Sequence, residues 1–416
     1  MDNANKPQKN LLLITSGFPY GQSEASFLAS EFEELLCHFN VSVLAVTDRD
    51  DEITAPYSKK FHVSRIKTPK DSIMCSLRQL LKIETVKEIW DIIKAGRGNK
   101  IPVRTAYALA YGSRADKLKN AIKKICVENK IDIVYTYWCV YTTLGAIRLK
   151  DELGIKVVSR FHGYDLYDER AKGGKQPFRS VISSKLDMAI FLNKKSEKYF
   201  ADRWGNCVNR KNIISPLGTR KISPIKIDFF DNILSIVSCS NLIPLKRVDL
   251  IIDALELLPE SISVKWNHYG SGCLERELIE RAEKKFESKN NIEWHFNGQI
   301  MNSEIESAYQ NANANLFLTT SSTEGAPLTI EEAFAMGIPV MATDVGGIAE
   351  MLSGGKGGIL LSPNPTAKDV ADALIKYLKM SANEKSLLQN YGLDKWNETY
   401  NASKNAIALC KQITFI

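Results

Sequence analysis

One strand–helix–strand pattern in the second half of the chain constrains the fold more than any other feature. The apolar run Ala314–Thr319 is typical of a buried strand, and Val340–Thr343 is a second one. Apolar residues between them recur at helical spacing, with Pro327 where the first turn should begin and Gly337 at the end. This order predicts parallel strands joined by a right-handed crossover. The expected fold class is therefore α/β, with a doubly wound parallel sheet.

The loop before this helix has the chemistry of a ligand site. Parallel sheets bind ligands beyond the carboxyl ends of their strands, which is where Glu324, Gly325 and Ala326 fall. Free N–H groups at a helix start suit an anion, and Glu332 lies roughly 8 Å along the helix from Pro327. Carboxylates accept hydrogen bonds from sugar hydroxyls, so the layout fits a nucleoside diphosphate sugar. The alternative is two solvated glutamates.

The same stretch resembles a known family. Glu324, seven residues, Glu332, then Gly337–Val340 and Gly346–Gly347 resemble the E-x7-E signature of retaining GT-B glycosyltransferases. The match is to glycosyltransferase family 4 (glycosyl transferases group 1). The resemblance implies a GT-B fold, in which two Rossmann-like doubly wound parallel-sheet domains face a central cleft. The C-terminal domain would hold a nucleotide sugar and the N-terminal domain would present the acceptor.

The resemblance also implies roles for this segment. Glu332 would bind the ribose hydroxyls of the donor. Glu324 would act at the catalytic centre and hold the donor sugar, helped by the backbone of four donor-binding residues, Gly325, Ala326, Pro327 and Leu328.

Lys246 and Arg247 supply positive charge in an earlier βα loop. Two cations there can hold a diphosphate and stabilise it as it leaves. The family pattern is commonly G-R-x-x-x-x-K-G, so Asn241 stands where an arginine is usual and Arg247 where a glycine is usual. Lys246 matches the lysine of the family pattern, so the resemblance implies that it is a catalytic and donor-binding residue. Arg247 is expected to replace the positive charge that is missing at Asn241. The alternative is ordinary surface charge at a helix start. Gly298 is expected to lie near the base of the donor.

Two loops in the first half of the chain fit the same resemblance to a glycosyltransferase. Gly17 and Gly21 follow the buried strand Leu11–Ser16 and would allow close approach of the donor diphosphate, the alternative being an ordinary βα turn. His162 follows another strand and begins an H-G-x-D sequence. In the resembled family this sequence lines the sugar pocket, so His162 is expected at the catalytic centre, with Asp165 orienting the loop. The alternative is a structural histidine.

Domain organisation follows from these elements. Residues 1–218 are expected to form the acceptor-binding domain and residues 219–393 the nucleotide-sugar domain. The segment 219–232 loses periodicity and is interpreted as the linker. A helix from about 394 to 416 is expected to return to the first domain.

Neither a metal nor a resident cofactor is predicted. The eight cysteines are scattered without metal-ligand spacing, and the D-x-D of Asp48 and Asp50 is interpreted as a solvated turn. The donor substrate would be a UDP- or GDP-sugar that needs no metal. The polar N-terminus lacks a signal-peptide pattern and no apolar run is long enough to span a bilayer, which favours the cytoplasm.

Charge is divided unevenly. Residues 1–217 contain 36 Lys and Arg against 24 Asp and Glu, and residues 218–416 contain 19 against 24. Residues 71–127 combine basic and apolar residues with helical spacing. A peripheral contact with the anionic inner face of the plasma membrane is one interpretation. The other is helices packed on the first domain with their charges outward. No nucleic acid partner is expected, because no aromatic-basic recognition motif occurs.

The function predicted is transfer of a hexose-type sugar to a hydroxyl of a glycan or lipid-linked sugar acceptor, in surface polysaccharide biosynthesis. Three alternatives stay open at this point: a GT-B nucleotide-sugar epimerase, a phosphorylase, and a non-catalytic nucleotide-sugar-binding protein.

Overall fold

The chain forms two compact units. The computed structural model describes residues 8–21, 24–53, 61–70, 72–96, 98–205, 210–227 and 233–416. The first unit contains residues 1–217 and 403–416, and the second contains residues 218–402. The return to the first unit thus begins later than the predicted position near 394, because Trp396 and Tyr400 are buried in the core of the second unit. Part of the predicted linker, residues 228–232, lies outside the described residues.

The sheet of the first unit has seven strands, all parallel, in the order β3-β2-β1-β4-β5-β6-β7. Its strands are β1 (Asn10–Thr15), β2 (Asn40–Val46), β3 (His62–Ile66), β4 (Ile133–Thr136), β5 (Lys156–Phe161), β6 (Met188–Phe191) and β7 (Lys211–Ile214). Its helices are α1 (Ala25–His38), α2 (Ile73–Arg78), α3 (Ile83–Lys94), α4 (Ile101–Glu128), α5 (Tyr141–Leu153), α6 (Arg179–Lys185) and α7 (Lys194–Trp204). Strand β3 has no counterpart in the sequence prediction, because it is a short edge strand with only partly buried residues.

The second unit has a six-stranded parallel sheet in the order β10-β9-β8-β11-β12-β13. Its strands are β8 (Ile233–Cys239), β9 (Ser263–Tyr269), β10 (Ile292–Phe296), β11 (Leu316–Thr319), β12 (Val340–Thr343) and β13 (Ile359–Leu361). Its helices are α8 (Val248–Glu256), α9 (Glu275–Phe286), α10 (Ile305–Asn311), α11 (Leu328–Met336), α12 (Ile348–Met351), α13 (Ala367–Leu378) and α14 (Ala382–Lys395). The last helix, α15 (Ala402–Thr414), packs Leu409, Cys410 and Ile413 into the core of the first unit.

Both sheets have the doubly wound order, and both contain a topological switch point. The order reverses between β1 and β4 in the first unit and between β8 and β11 in the second. Helices leave opposite faces of the sheet there, so a crevice opens beyond the carboxyl ends of the two central strands.

Helix α11 forms as the sequence predicts, with one shift. Pro327 is the N-cap in an extended conformation, and the first helical residue is Leu328. Gly337 ends the helix in the left-handed conformation at φ 72°. Every residue from Ile330 to Met336 is buried, so the short helix lies within the core.

A buried ion pair is part of the core of the first unit. Arg160 is fully buried on β5 and donates to the Glu31 carboxylate, to the Tyr135 hydroxyl at 3.0 Å and to the Ser215 carbonyl at 2.7 Å. Tyr135 in turn donates to Glu31 at 2.6 Å. The guanidinium and the carboxylate therefore satisfy each other away from water.

Removal of the Glu31 side chain should leave the buried Arg160 guanidinium without its carboxylate partner. We expect Glu31→Ala to lower the free energy of unfolding by about 3–5 kcal/mol in urea titrations of the full chain. Glu128 makes an exposed ion pair with Lys124 on α4 and is the matched control. Glu128→Ala should cost less than about 1 kcal/mol. Equal losses for the two variants would contradict the structural role given to Glu31.

Candidate active site

Two predicted site residues meet at the switch point of the second unit. Lys246, in the loop after β8, donates from Nζ to Glu324 Oε1 at 2.6 Å, and Glu324 lies in the loop after β11. The two side chains are 23% and 12% exposed. The pair is therefore largely shielded, yet reachable from the crevice beyond the strand ends.

Hydrogen bonds to backbone carbonyls hold the two loops together. The Thr320 hydroxyl donates to the Arg247 carbonyl at 2.8 Å, and the Ser322 amide donates to the Leu245 carbonyl at 2.8 Å. The Thr343 hydroxyl, at the end of β12, donates to the loop at the Ser321 carbonyl at 2.6 Å. These contacts fix the position of Lys246 relative to Glu324 before any ligand binds.

The glycine pair after β12 closes on the same loop. The Gly347 amide donates to the Gly325 carbonyl at 3.1 Å. Gly346 has φ 59°, and a Cβ there would lie 1.6 Å from the Glu324 carbonyl oxygen. A residue with a side chain cannot occupy position 346 without moving Glu324.

Arg247 takes a different direction from Lys246. Its backbone is left-handed at φ 50°, and its guanidinium donates to the carbonyls of Pro365 at 3.1 Å and Pro363 at 3.5 Å. These contacts hold the guanidinium at the loop after β13. Of the two cations, Lys246 is the one placed against Glu324, and the expectation that Arg247 replaces the charge lost at Asn241 gains no support from this geometry. Asn241 itself is exposed in the loop after β8.

Glu332 is buried on α11, with 2% of its surface exposed. Its Oε1 accepts from the Asn302 amide at 2.5 Å, and its Oε2 has no partner among the described residues. Burial raises the pKa of the Glu332 carboxyl to about 7, against the opposing effects of the Asn302 hydrogen bond and the positive charge of Arg220. The group therefore changes its charge near neutral pH. Asn302 and Arg220 were not singled out from the sequence, where nothing distinguishes them from other loop residues.

Glu331, the neighbour of Glu332, is fully buried. Desolvation, reinforced by the adjacent Glu332, holds its pKa well above the ordinary value of a carboxyl. This shift favours the neutral acid over the carboxylate. Nothing in the sequence around Glu331 indicates that its side chain is buried, so the sequence analysis did not identify it.

Gly298 follows β10 at the same edge of the sheet. It has φ 67°, and its carbonyl accepts from the Gly270 amide at 2.7 Å. A Cβ on Gly298 would meet nothing within 4 Å, so the position is open. The predicted donor-binding residues Asn241, Gly298, Glu324 and Gly325 thus all lie beyond the carboxyl ends of strands in one sheet.

His162 lies at the equivalent edge of the first unit, directly after β5. Its Nε2 lies 3.0 Å from the Tyr137 carbonyl, and its ring centroid is 4.1 Å from that of Trp138. Burial lowers the pKa of His162 to about 3, so the imidazole is neutral at physiological pH. Since a carbonyl can only accept, Nε2 carries the proton and Nδ1 is left as an acceptor.

The loop that carries His162 is held by Asp165. Its two carboxylate oxygens accept from the amides of His162 and Cys139, each at 2.7 Å. Burial raises the pKa of Asp165 to about 6, although the charge of Arg179 opposes the shift. These two hydrogen bonds are the contacts that an orienting role for Asp165 requires.

Glu24 links the glycine loop to the same region. Its Oε2 accepts from the Phe18 amide at 2.7 Å, and its Oε1 accepts from the Trp138 indole at 2.6 Å. Gly17 lies inside this turn, where a Cβ would be 3.5 Å from Glu24. Gly21 is left-handed at φ 70°, and a Cβ there would lie 2.7 Å from Asp51. Gly21 is therefore required by its backbone conformation, whereas a Cβ on Gly17 would make only an ordinary van der Waals contact, and this local geometry favours the simpler turn interpretation.

Comparison with known proteins agrees with this geometry. The family described as Glycosyl transferases group 1 matches residues 220–392. Residues 220–392 form a group 1 glycosyltransferase domain, and the chain has the GT-B fold. The chain is similar to WcaL of Escherichia coli K12, named as a colanic acid biosynthesis glycosyltransferase, with 24% identity over 268 residues. That alignment spans 60% of this chain and 63% of the relative, which is less than two thirds of its length.

Solved structures resemble the whole chain. Sucrose-phosphate synthase from Thermosynechococcus elongatus has a TM-score of 0.72 and 16% identity, covering 98% of this chain and 99% of that one. HepE of Anabaena, solved in complex with UDP, has a TM-score of 0.69 and 15% identity, covering 98% and 100%. At these identities the likeness concerns the fold. The Lys246–Glu324 pair, Glu332 and the glycine pair all lie within the group 1 domain.

The glycine pair of the group 1 domain allows a direct test of the packing. We expect Gly346→Ala to lower the free energy of unfolding by at least about 3 kcal/mol, because the added Cβ must displace the Glu324 backbone. Gly354 has a similar φ of 65° but open space around it. Gly354→Ala should cost only the conformational strain, about 1–2 kcal/mol. Urea titration of both variants measures the difference, and indistinguishable midpoints would refute the close contact.

Proposed function

We propose that the protein is a retaining glycosyltransferase of family 4. It moves a hexose-type sugar from a UDP- or GDP-sugar to a hydroxyl of a glycan or lipid-linked sugar in surface polysaccharide biosynthesis. The observation that carries the proposal is the Lys246–Glu324 ion pair at the switch point of a group 1 domain. The colanic acid relative supports the pathway class.

The donor binds in this proposal along α11 and the loop before it. Lys246 donates to the diphosphate, and Glu324 accepts from hydroxyls of the sugar. The start of α11 faces the phosphates with free amides. Glu332 accepts from the ribose hydroxyls, for which the Asn302 amide must give up its present place on Oε1.

The transfer breaks the bond between the anomeric carbon and the β-phosphate oxygen. Negative charge then develops on the nucleoside diphosphate, and the Lys246 ammonium stabilises it in a site shielded from water. The acceptor hydroxyl forms the new bond on the same face of the sugar and passes its proton to the departing phosphate. No metal is assigned a role, and His162, as a neutral imidazole, contributes to the acceptor side.

The first test removes the positive charge that is proposed to stabilise the leaving nucleoside diphosphate. We expect Lys246→Ala to lower kcat by about 10²–10³-fold, the loss typical of one electrostatic donor at a developing anion. The measurement is transfer from the donor that gives the largest thermal stabilisation among UDP-, GDP- and ADP-sugars.

The matched control for that test is Lys356→Ala, which removes an exposed lysine of the same unit. Its kcat should equal that of the wild type. A wild-type rate for Lys246→Ala would contradict the site assignment. Conversion of the nucleotide sugar in the absence of an acceptor would instead indicate an epimerase.

The second test concerns the charge of Glu332. Only its ionised form accepts from both ribose hydroxyls, and the pKa of about 7 means that the ionised fraction falls as the pH is lowered. We expect the donor Kd to rise about tenfold between roughly pH 8 and pH 6. Calorimetry should use the intact nucleotide sugar, because a free terminal phosphate titrates in the same range.

Glu332→Gln provides the control for this pH dependence. The amide is isosteric and does not titrate, so the variant should bind weakly with a Kd that is independent of pH. An unchanged wild-type Kd across the same pH interval would show that Glu332 is not a donor ligand.

A further inference from the structure

Helix α3 turns its polar side inward. Its buried residues are Thr85, Glu88 and Ile92, and the Glu88 carboxylate is paired with Lys175. Its exposed apolar residues recur at helical spacing and form one stripe: Ile83, Val86, Trp90 and Ile93, which are 75%, 52%, 57% and 48% exposed. This is the reverse of the arrangement expected for a helix packed on a water-soluble unit.

The segment just before α3 continues the apolar surface. Helix α2 buries none of its residues, and the exposed large apolar side chains here and in the following turn are Ile73, Met74, Leu77, Leu80 and Leu81. Both α2 and α3 pack on α4, which leaves their outer sides uncovered. We call the nine residues of the two stripes the α2–α3 face. Both helices pack on the first unit with charges outward, as the alternative expected, but large apolar side chains are exposed beside those charges.

Free positive charge accompanies this face. Arg78 and Lys87 are exposed and form no ion pair with any described residue, and Lys94 lies over the Trp90 ring at 5.5 Å. The other charged residues of α2 and α3 are held by partners within the unit, except for the exposed Asp91. Three cations thus stand against one anion beside the apolar stripe.

We propose that the α2–α3 face docks the protein on an anionic lipid bilayer. The apolar stripe enters the boundary between head groups and acyl chains, and Arg78, Lys87 and Lys94 remain at the level of the phosphates. Trp90 suits this depth, because an indole has an apolar body and a polar N–H. Among the described residues, no helix is long and apolar enough to cross a membrane, and this mode of binding requires none.

The charge of the face favours a bilayer over a second copy of the chain. Two copies meeting through this face would bring like charges together, whereas an anionic lipid surface neutralises them. The inference does not depend on the transfer reaction, since its evidence lies wholly in the first unit and its test measures binding alone.

The test is co-sedimentation of the full chain with vesicles. One set contains phosphatidylcholine alone, and the other contains phosphatidylcholine and phosphatidylglycerol at about three to one. We expect binding to the anionic set at about 0.1 M NaCl, at least about fivefold weaker binding at about 0.5 M NaCl, and weaker binding to the neutral set.

Two pairs of variants separate the apolar and the charged contributions. Leu81→Ser with Trp90→Ser removes apolar surface that is already exposed, so folding should be unaffected, and binding should fall more than about tenfold. The control is Leu387→Ser with Val127→Ser, at positions 68% and 61% exposed elsewhere on the protein. Arg78→Gln with Lys87→Gln should weaken binding more than about fivefold. Its control is Lys194→Gln with Lys198→Gln, two exposed lysines of α7.

Three outcomes would overturn the proposal. One is the absence of binding to anionic vesicles at low salt. Another is equal loss in the variants and their controls, which would place the contact elsewhere. The third is a dimer, detected by light scattering at micromolar concentration, that the Leu81→Ser and Trp90→Ser changes dissociate, because the face would then be covered by a second copy.

Discussion

Parallel pairing of β8 with β11 is the constraint on which the candidate site depends. Lys246 and Glu324 are 78 residues apart in sequence, yet both follow central strands that end at the same edge of one sheet. The connection after β8 and the connection after β11 run to opposite faces of the sheet, so their loops diverge and leave a crevice. Close backbone contacts from Thr320, Ser322 and Gly346 then set the distance between the two side chains.

Burial determines what each carboxylate near this edge can do. Glu324 remains partly exposed and is paired with the Lys246 ammonium group. Glu332 is desolvated but hydrogen-bonded, and its pKa is about 7. A ligand whose hydroxyls donate hydrogen bonds to this carboxyl would favour its ionised form. Glu331 is desolvated more completely, which favours the neutral acid. The two neighbouring glutamates of α11 thus differ from an ordinary carboxyl through burial rather than through residue type.

The sequence predicted the parts of this structure that are encoded locally. The helix between Pro327 and Gly337 follows from proline and glycine stereochemistry, and the strands around it follow from apolar runs. Three features depended on tertiary context instead. Arg247 lies away from Glu324, with its guanidinium bound to the carbonyls of Pro363 and Pro365. Asn302 reaches Glu332 across 30 positions, and Glu24 joins the glycine loop to Trp138 across 114. Periodicity contains no information about such contacts.

Helix α3 shows the same limit, because its apolar spacing suggested an amphipathic helix without indicating which side would face the core. An amphipathic pattern defines two sides of a helix, but only packing decides which side faces the core. Here the first unit buries Glu88 with Lys175, and it satisfies Arg148 with Glu84 and Asp116. Buried ion pairs are often no more stabilising than apolar packing of the same volume. Turning α3 by about half a turn would bury Ile83, Val86 and Trp90 instead. The lipid bilayer that we propose for the α2–α3 face would give the outward apolar side the partner that the folded unit does not supply.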